Sequence, residues 1–343
     1  MRRFHGFANG VAAAMACMTV LALAACGGDA APSGAATAST ASSGDDGEAS
    51  VASASATSAD AALPERLFLP DLAHRAIAAV ATLEPDAGEV LPAPTLGMAA
   101  AIGSNVQVDA ARDELYTIVG GVVEVYAGAS ALKANAAPAR SFPLPATLTA
   151  PHALFLDADR DELYVGGDTA HGGGEIVVYP YAHTIRGTPA TPARALIVDH
   201  GVSFFTIDTV RERLYVVNAD AGVHVFDDAG SASGALVAVA TVPVLGTGLA
   251  VDAAHDRLYV ADLFAGLILV DQASSASPVV SATISIDDAR FVSVDTTADR
   301  AYVSAQGELY VLDHASALTS ASTLVAPATA RLVGTAFGAA AVR

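Results

Sequence analysis

Five segments of the chain are copies of one pattern: VDAARDELYT (108–117), LDADRDELYV (156–165), IDTVRERLYV (207–216), VDAAHDRLYV (251–260) and VDTTADRAYV (294–303). Each is followed by a second apolar stretch: VVEVY (122–126), EIVVY (175–179), VHVFD (223–227), LILVD (267–271) and LYVLD (309–313). The marker tyrosines, Tyr116, Tyr164, Tyr215, Tyr259 and Tyr302, are separated by 48, 51, 44 and 43 residues. A repeat of this length cannot bury its own apolar face, so neighbouring copies must stack. Each copy reads as four short strands broken by Gly, Pro and Asp, which predicts an all-β propeller whose sheets pack side by side around an axis. A sixth copy, ERLFLPDLAHRAIAAV (65–80), places Phe68 48 residues before Tyr116 but lacks its opening strand. The segment FGAAAVR (337–343) matches the opening strands and has no partners after it. We therefore expect six blades over residues 63–343, with the C-terminal strand pairing into the N-terminal blade so that no sheet edge is left open.

Hydrophobic residues make up 53% of the chain and charged ones 15%. Stacked sheets absorb this surplus, because strands covered on both faces run continuously apolar, as in GLILV (266–270). The Val-Asp, turn, Leu-Tyr-Val order resembles the YVTN and NHL propeller repeats, and GLILVDQASSASPVVSATI (266–284) resembles a bacterial surface repeat with a Leu-Val-Ile-Val-Asp core. The resemblance implies the fold. These repeats carry hydrolases, scaffolds and ligand binders alike, so function has to be argued from the site.

Residues 1–25 read as a signal peptide, with Arg2 and Arg3 before an apolar stretch from Val11 to Ala25 that is too short for a comfortable membrane span. Leu23-Ala24-Ala25-Cys26 resembles the lipobox of bacterial lipoproteins, which implies acylation of Cys26 and cleavage before it; an ordinary secretory signal cut nearby is the simpler alternative. Gly27 in place of Asp implies outer-membrane retention, facing the periplasm or the exterior. Residues 26–62 are almost wholly Ala, Ser, Thr, Gly and Asp, and read as a disordered tether of roughly 30–35 Å mean span.

The charge of −19 and the single lysine, Lys133, exclude a general nucleic-acid binder. Removing Arg2 and Arg3 with the signal leaves 15 basic residues against 36 acidic, a mature charge of −21. With Cys26 acylated no thiol remains, and the absence of Trp removes stacking surfaces built on indole. Neither HExxH, GxSxG, a phosphate loop nor a helix-opening GxGxxG occurs. No cofactor is expected, and a monomer is.

Function in a propeller concentrates where loops enter the inner strands. Counting five residues back from each repeat Asp gives Ser104, His152, Ser203, Thr247 and Arg290, with Gly338 as the sixth. His152 and Arg290 could contact an anionic ligand; the plainer alternatives are a loop histidine, and an arginine paired with Asp287 or Asp288. Six-bladed gluconolactonases resemble this architecture and take metal ligands from comparable loops. This ring holds no carboxylate or amide, although Asn105 is one residue along, so it departs from what a hard cation needs. Asp157-Ala158-Asp159-Arg160-Asp161 has calcium-loop spacing, but Glu162 stands where such a loop needs Gly and Asp168 where it needs a bidentate acid. Turn capping by Asp109, Asp157, Asp208, Asp252 and Asp295 is the simpler reading. His171-Gly-Gly-Gly reads as a flexible insertion. The sequence thus points to a lipid-anchored envelope binding or scaffolding module for an unknown envelope protein or small anionic ligand; the alternative is a lactonase-like hydrolase with His152 as base. A negative body favours a partner with basic patches.

Overall fold

In every complete copy, the repeat Asp ends one strand and the Leu-Tyr-Val segment begins the next. The computed structural model describes residues 66–81, 94–187, 191–218, 222–320, 329–330 and 338–342. The signal peptide, Cys26 and the tether lie outside the described residues. Within them are six sheets, antiparallel but for one short strand. The second runs Ile102–Asp109, Glu114–Val119, Val122–Ala127, Arg140–Pro143 from inside outwards. The inner strands of the third to sixth sheets are Leu148–Asp157, Phe204–Asp208, Gly248–Asp252 and Ala289–Asp295. In the first sheet, Arg66–Asp71, Ala76–Ala81 and Pro94–Gly97 are joined by Ala341–Val342. Val342 there pairs with Leu67, and Ala341 with Phe68. Leu67, Leu69, Ala78 and Val80 of this sheet share a core with Tyr302, Leu309 and Val311 of the sixth. The last sheet therefore packs on the first.

The third sheet differs from the repeat. Gly234–Ala235, from the chain of the fourth repeat, runs parallel to its outer strand, with Leu196 opposite Gly234 and Ile197 opposite Ala235. The segments PARSFPLP (138–145) and PARALIV (192–198) supply the fourth strands of the second and third sheets, Arg140–Pro143 and Arg194–Val198.

The repeat tyrosines are the pegs between sheets, each no more than 1% exposed. Tyr116 donates to Glu114 at 2.8 Å, and the Arg140 guanidinium donates both to the Tyr116 hydroxyl and to the Glu114 carboxylate. Tyr164, Glu162 and Arg194 repeat this trio one sheet on.

The turns follow one rule. Asp109 accepts the Arg112 amide, Asp157 that of Arg160, Asp208 that of Arg211, Asp252 that of His255 and Asp295 that of Ala298. Four residues after each, Asp113, Asp161, Glu212, Asp256 and Asp299 have φ between 51° and 56°. Asp tolerates this left-handed region better than most residues, Glu212 being the departure. The carboxylates of Asp113, Asp256 and Asp299 accept the amide and hydroxyl of Ser130, Ser274 and Ser316, tying each turn to the segment after the third strand.

Candidate functional site

The six inner strands enclose a cavity of about 510 Å³, a volume suited to a small ligand. The cavity's polar lining comes from the column two residues before each repeat Asp, where Gln107, Thr206 and Ser293 stand beside Phe155 and Ala250. Asp295, Thr296 and Thr297 extend the lining into the turn of the sixth sheet. At the opposite end Phe204 and Phe291, from the fourth and sixth sheets, meet with ring centroids 5.9 Å apart. Between them lies Gly248 of the fifth sheet, where a Cβ would stand 2.6 Å from Phe291 Cα. The two rings stand toward the end of the channel where loops enter the inner strands, and Asp295 stands toward the other end.

Ser104, His152, Ser203, Thr247, Arg290 and Gly338 sit beyond that aromatic pair, and none of them lines the cavity. Two are joined directly: the Thr247 hydroxyl donates to the Arg290 carbonyl at 2.6 Å. The Ser104 carbonyl accepts the amide of Ala339, and a Cβ on Gly338 would come within 2.0 Å of it. Ser203 donates its amide to Val217. His152 Nε2 lies 3.2 Å from Asp168 Oδ2, and the other oxygen of Asp168 accepts the Val202 amide. Arg290 is exposed and pairs with Asp288 at 3.0 Å, as one of the plainer sequence alternatives has it.

Asn105 is 2% exposed and both ends of its amide are committed. Its nitrogen donates to the Leu154 carbonyl at 2.6 Å and its oxygen accepts the Leu154 amide at 2.9 Å, so it staples the second sheet to the third. The acids of the calcium-like spacing are engaged separately: Asp157 with Arg160, Asp161 with His183, Glu162 with Tyr164 and Arg194, and Asp168 with His152. Among the described residues no three His, Cys, Asp or Glu side chains converge as a metal site would require. The 171–174 insertion is a tight turn in which Thr169 and Gly173 bond each other.

A second recess, of about 130 Å³, lies at the rim between the third and fourth sheets. His200 and His224 stack there with centroids 5.0 Å apart. Burial first, and His200 second, hold the His224 ring below its ordinary value, despite Asp199.

Counting five back misses the lining because the register shifts there in three inner strands, between Ile102 and Val106, Pro151 and Ala153, and Ala289 and Phe291. The residues two before each Asp stand past these irregularities and line the cavity.

No family model and no curated protein matches the sequence. Among solved structures the chain is similar to one in a nidogen–laminin complex, at 15% identity and a TM-score of 0.58, covering 81% of this chain and 98% of that one. Identity this low speaks for the fold alone. With 1096 solved chains matching, this six-bladed β-propeller is an architecture used too widely to select a function.

Proposed function

We propose that this chain is a lipid-anchored binding module of the bacterial cell envelope, held off the membrane by the tether and meeting its ligand or partner through the propeller. A β-propeller suits such a role. The sequence Leu23-Ala24-Ala25-Cys26 and the Ala/Ser-rich segment after it support the anchor and the spacer. The observation that carries the reading is the placement of the groups a hydrolase would need: Asn105 is committed to Leu154 and Arg290 to Asp288, and His152 lies outside the cavity lining. These contacts position backbone and loops and leave the enclosed cavity lined mainly by hydroxyls and apolar side chains.

Thermal melting of the mature chain in detergent, after chelation and again in millimolar calcium, separates this reading from a metal-dependent hydrolase. A micromolar site would be about 1,000-fold saturated and add ~4 kcal/mol, moving the midpoint by several degrees. The binding-module reading expects no movement. A rise accompanied by lactone hydrolysis would replace it with the enzyme.

A further inference from the structure

The five repeat aspartates are not equivalent. Asp109, Asp157, Asp208 and Asp252 are each paired with the cation three residues on: Arg112, Arg160, Arg211 and His255. In the sixth sheet that position is Ala298, which is exposed and offers nothing. Asp295 Oδ1 accepts the amides of Thr297 and Ala298, both at 2.9 Å, and its Oδ2 has no partner among the described residues. Of the five, Asp295 is the one that lines the cavity. Beside it Ser293, also in the lining, has a buried hydroxyl without a hydrogen-bond partner. Thr206 and Gln107 face the same space with a further hydroxyl and a carboxamide. The remaining wall mixes Asn105, Thr296 and Thr297 with apolar side chains, Phe155, Phe204 and Ala250 among them.

An unpaired carboxylate in a concave, partly apolar site attracts a cation. The adjoining hydroxyls and carboxamide suit an organic cation that carries its own hydroxyl or carbonyl groups. We propose that the central cavity binds a small, hydroxylated primary ammonium compound, which enters from the turn side and places its ammonium on Asp295 and its hydroxyls on Thr206 and Gln107. The proposal rests on the binding-module reading and gives that module a ligand class opposite in sign to the anion expected at the other mouth.

Two variants test it by opposite routes. Asp295→Asn keeps an oxygen to cap the Thr297 and Ala298 amides while removing the charge. Ala298→Arg leaves the cavity wall alone and supplies the cation that the other turns already have. Calorimetry on the mature chain with ethanolamine and glucosamine, each at a pH where its amine is charged, is compared with ethylene glycol and glucose. The expected result is binding of at least one amine and of neither neutral compound, weakened tenfold or more in both variants. Equal binding of glucose and glucosamine, or binding unaffected by both variants, would overturn the proposal. Binding of none of the amines would also overturn it, while leaving a protein partner outside the cavity and hence the broader module reading. A calcium-induced melting shift in the parent that Asp295→Asn abolishes would make the cavity a metal site and sink both readings.

Discussion

Arg140 carries a full charge into a place where only 4% of its side chain meets solvent. It is tolerable there because the Glu114 carboxylate and the Tyr116 hydroxyl accept from both terminal nitrogens, leaving Nε without a partner, and because the guanidinium lies 5.5 Å from the centre of the Tyr116 ring. Burial alone would raise the Glu114 carboxyl, but the hydrogen bonds from Arg140 and Tyr116 carry it below its ordinary value. A carboxyl lowered on folding contributes stability that is complete above its unfolded pKa and lost as the pH falls through the folded one. Arg140→Ala strands Glu114 without its cation. We expect a loss of about 3 kcal/mol at neutral pH, read by urea unfolding, as for other buried pairs broken from one side. The pair was not legible in sequence, since Arg140 sits in an outer strand and Glu114 in the second, 26 residues apart. The turn aspartates were legible, because a carboxylate capping its own turn needs only local chain. Asn105 was not, because its purpose depends on which strand lies beside it.

Between neighbouring elements, the sheets meet most tightly where inner strands approach backbone to backbone. At Gly248 an added Cβ would stand 2.6 Å from Phe291 Cα and 2.7 Å from the Arg290 carbonyl, atoms that cannot swing aside. Gly248→Ala should therefore cost roughly 1–3 kcal/mol and loosen the Phe204–Phe291 contact. Chemical denaturation would give the loss, and the near-ultraviolet signal of the aromatic residues its location. A variant as stable as the parent would mean that the two strands stand farther apart than described. The period-two pattern predicts that some column of the inner strand faces the axis. It does not say which, since both sides of that strand are enclosed and apolar residues occur on each. The parallel strand Gly234–Ala235 was equally hidden, because two small residues carry no strand signal and their partner belongs to another repeat.

For the whole molecule, the period alone, with its six Tyr or Phe markers, was enough for a six-bladed propeller; what it binds was not encoded at that level. The chain's charge of −19, or −21 after the proposed processing, is repelled by anionic headgroups, so electrostatics would not keep it at a membrane. In the proposed function, retention therefore falls to acyl chains on Cys26. In cell fractionation we expect the parent in the membrane pellet, resistant to high salt, and Cys26→Ser in the soluble fraction. An unchanged distribution would remove the anchor from the proposed function.

The pairing of Leu67 with Val342 also sets an order of events. The first sheet holds three early strands whose inner neighbour follows all five other sheets in the chain, so it cannot complete its hydrogen bonds until those sheets have emerged. Until then an inner edge stands open, and a chain stalled partway through synthesis would offer that edge to whatever strand came near. The second to fifth sheets have no such wait, each being contiguous in sequence apart from the short strand lent by the fourth repeat. Assembly should therefore be vectorial in its middle and simultaneous at its seam, with the slowest step reserved for the arrival of Ala341 and Val342.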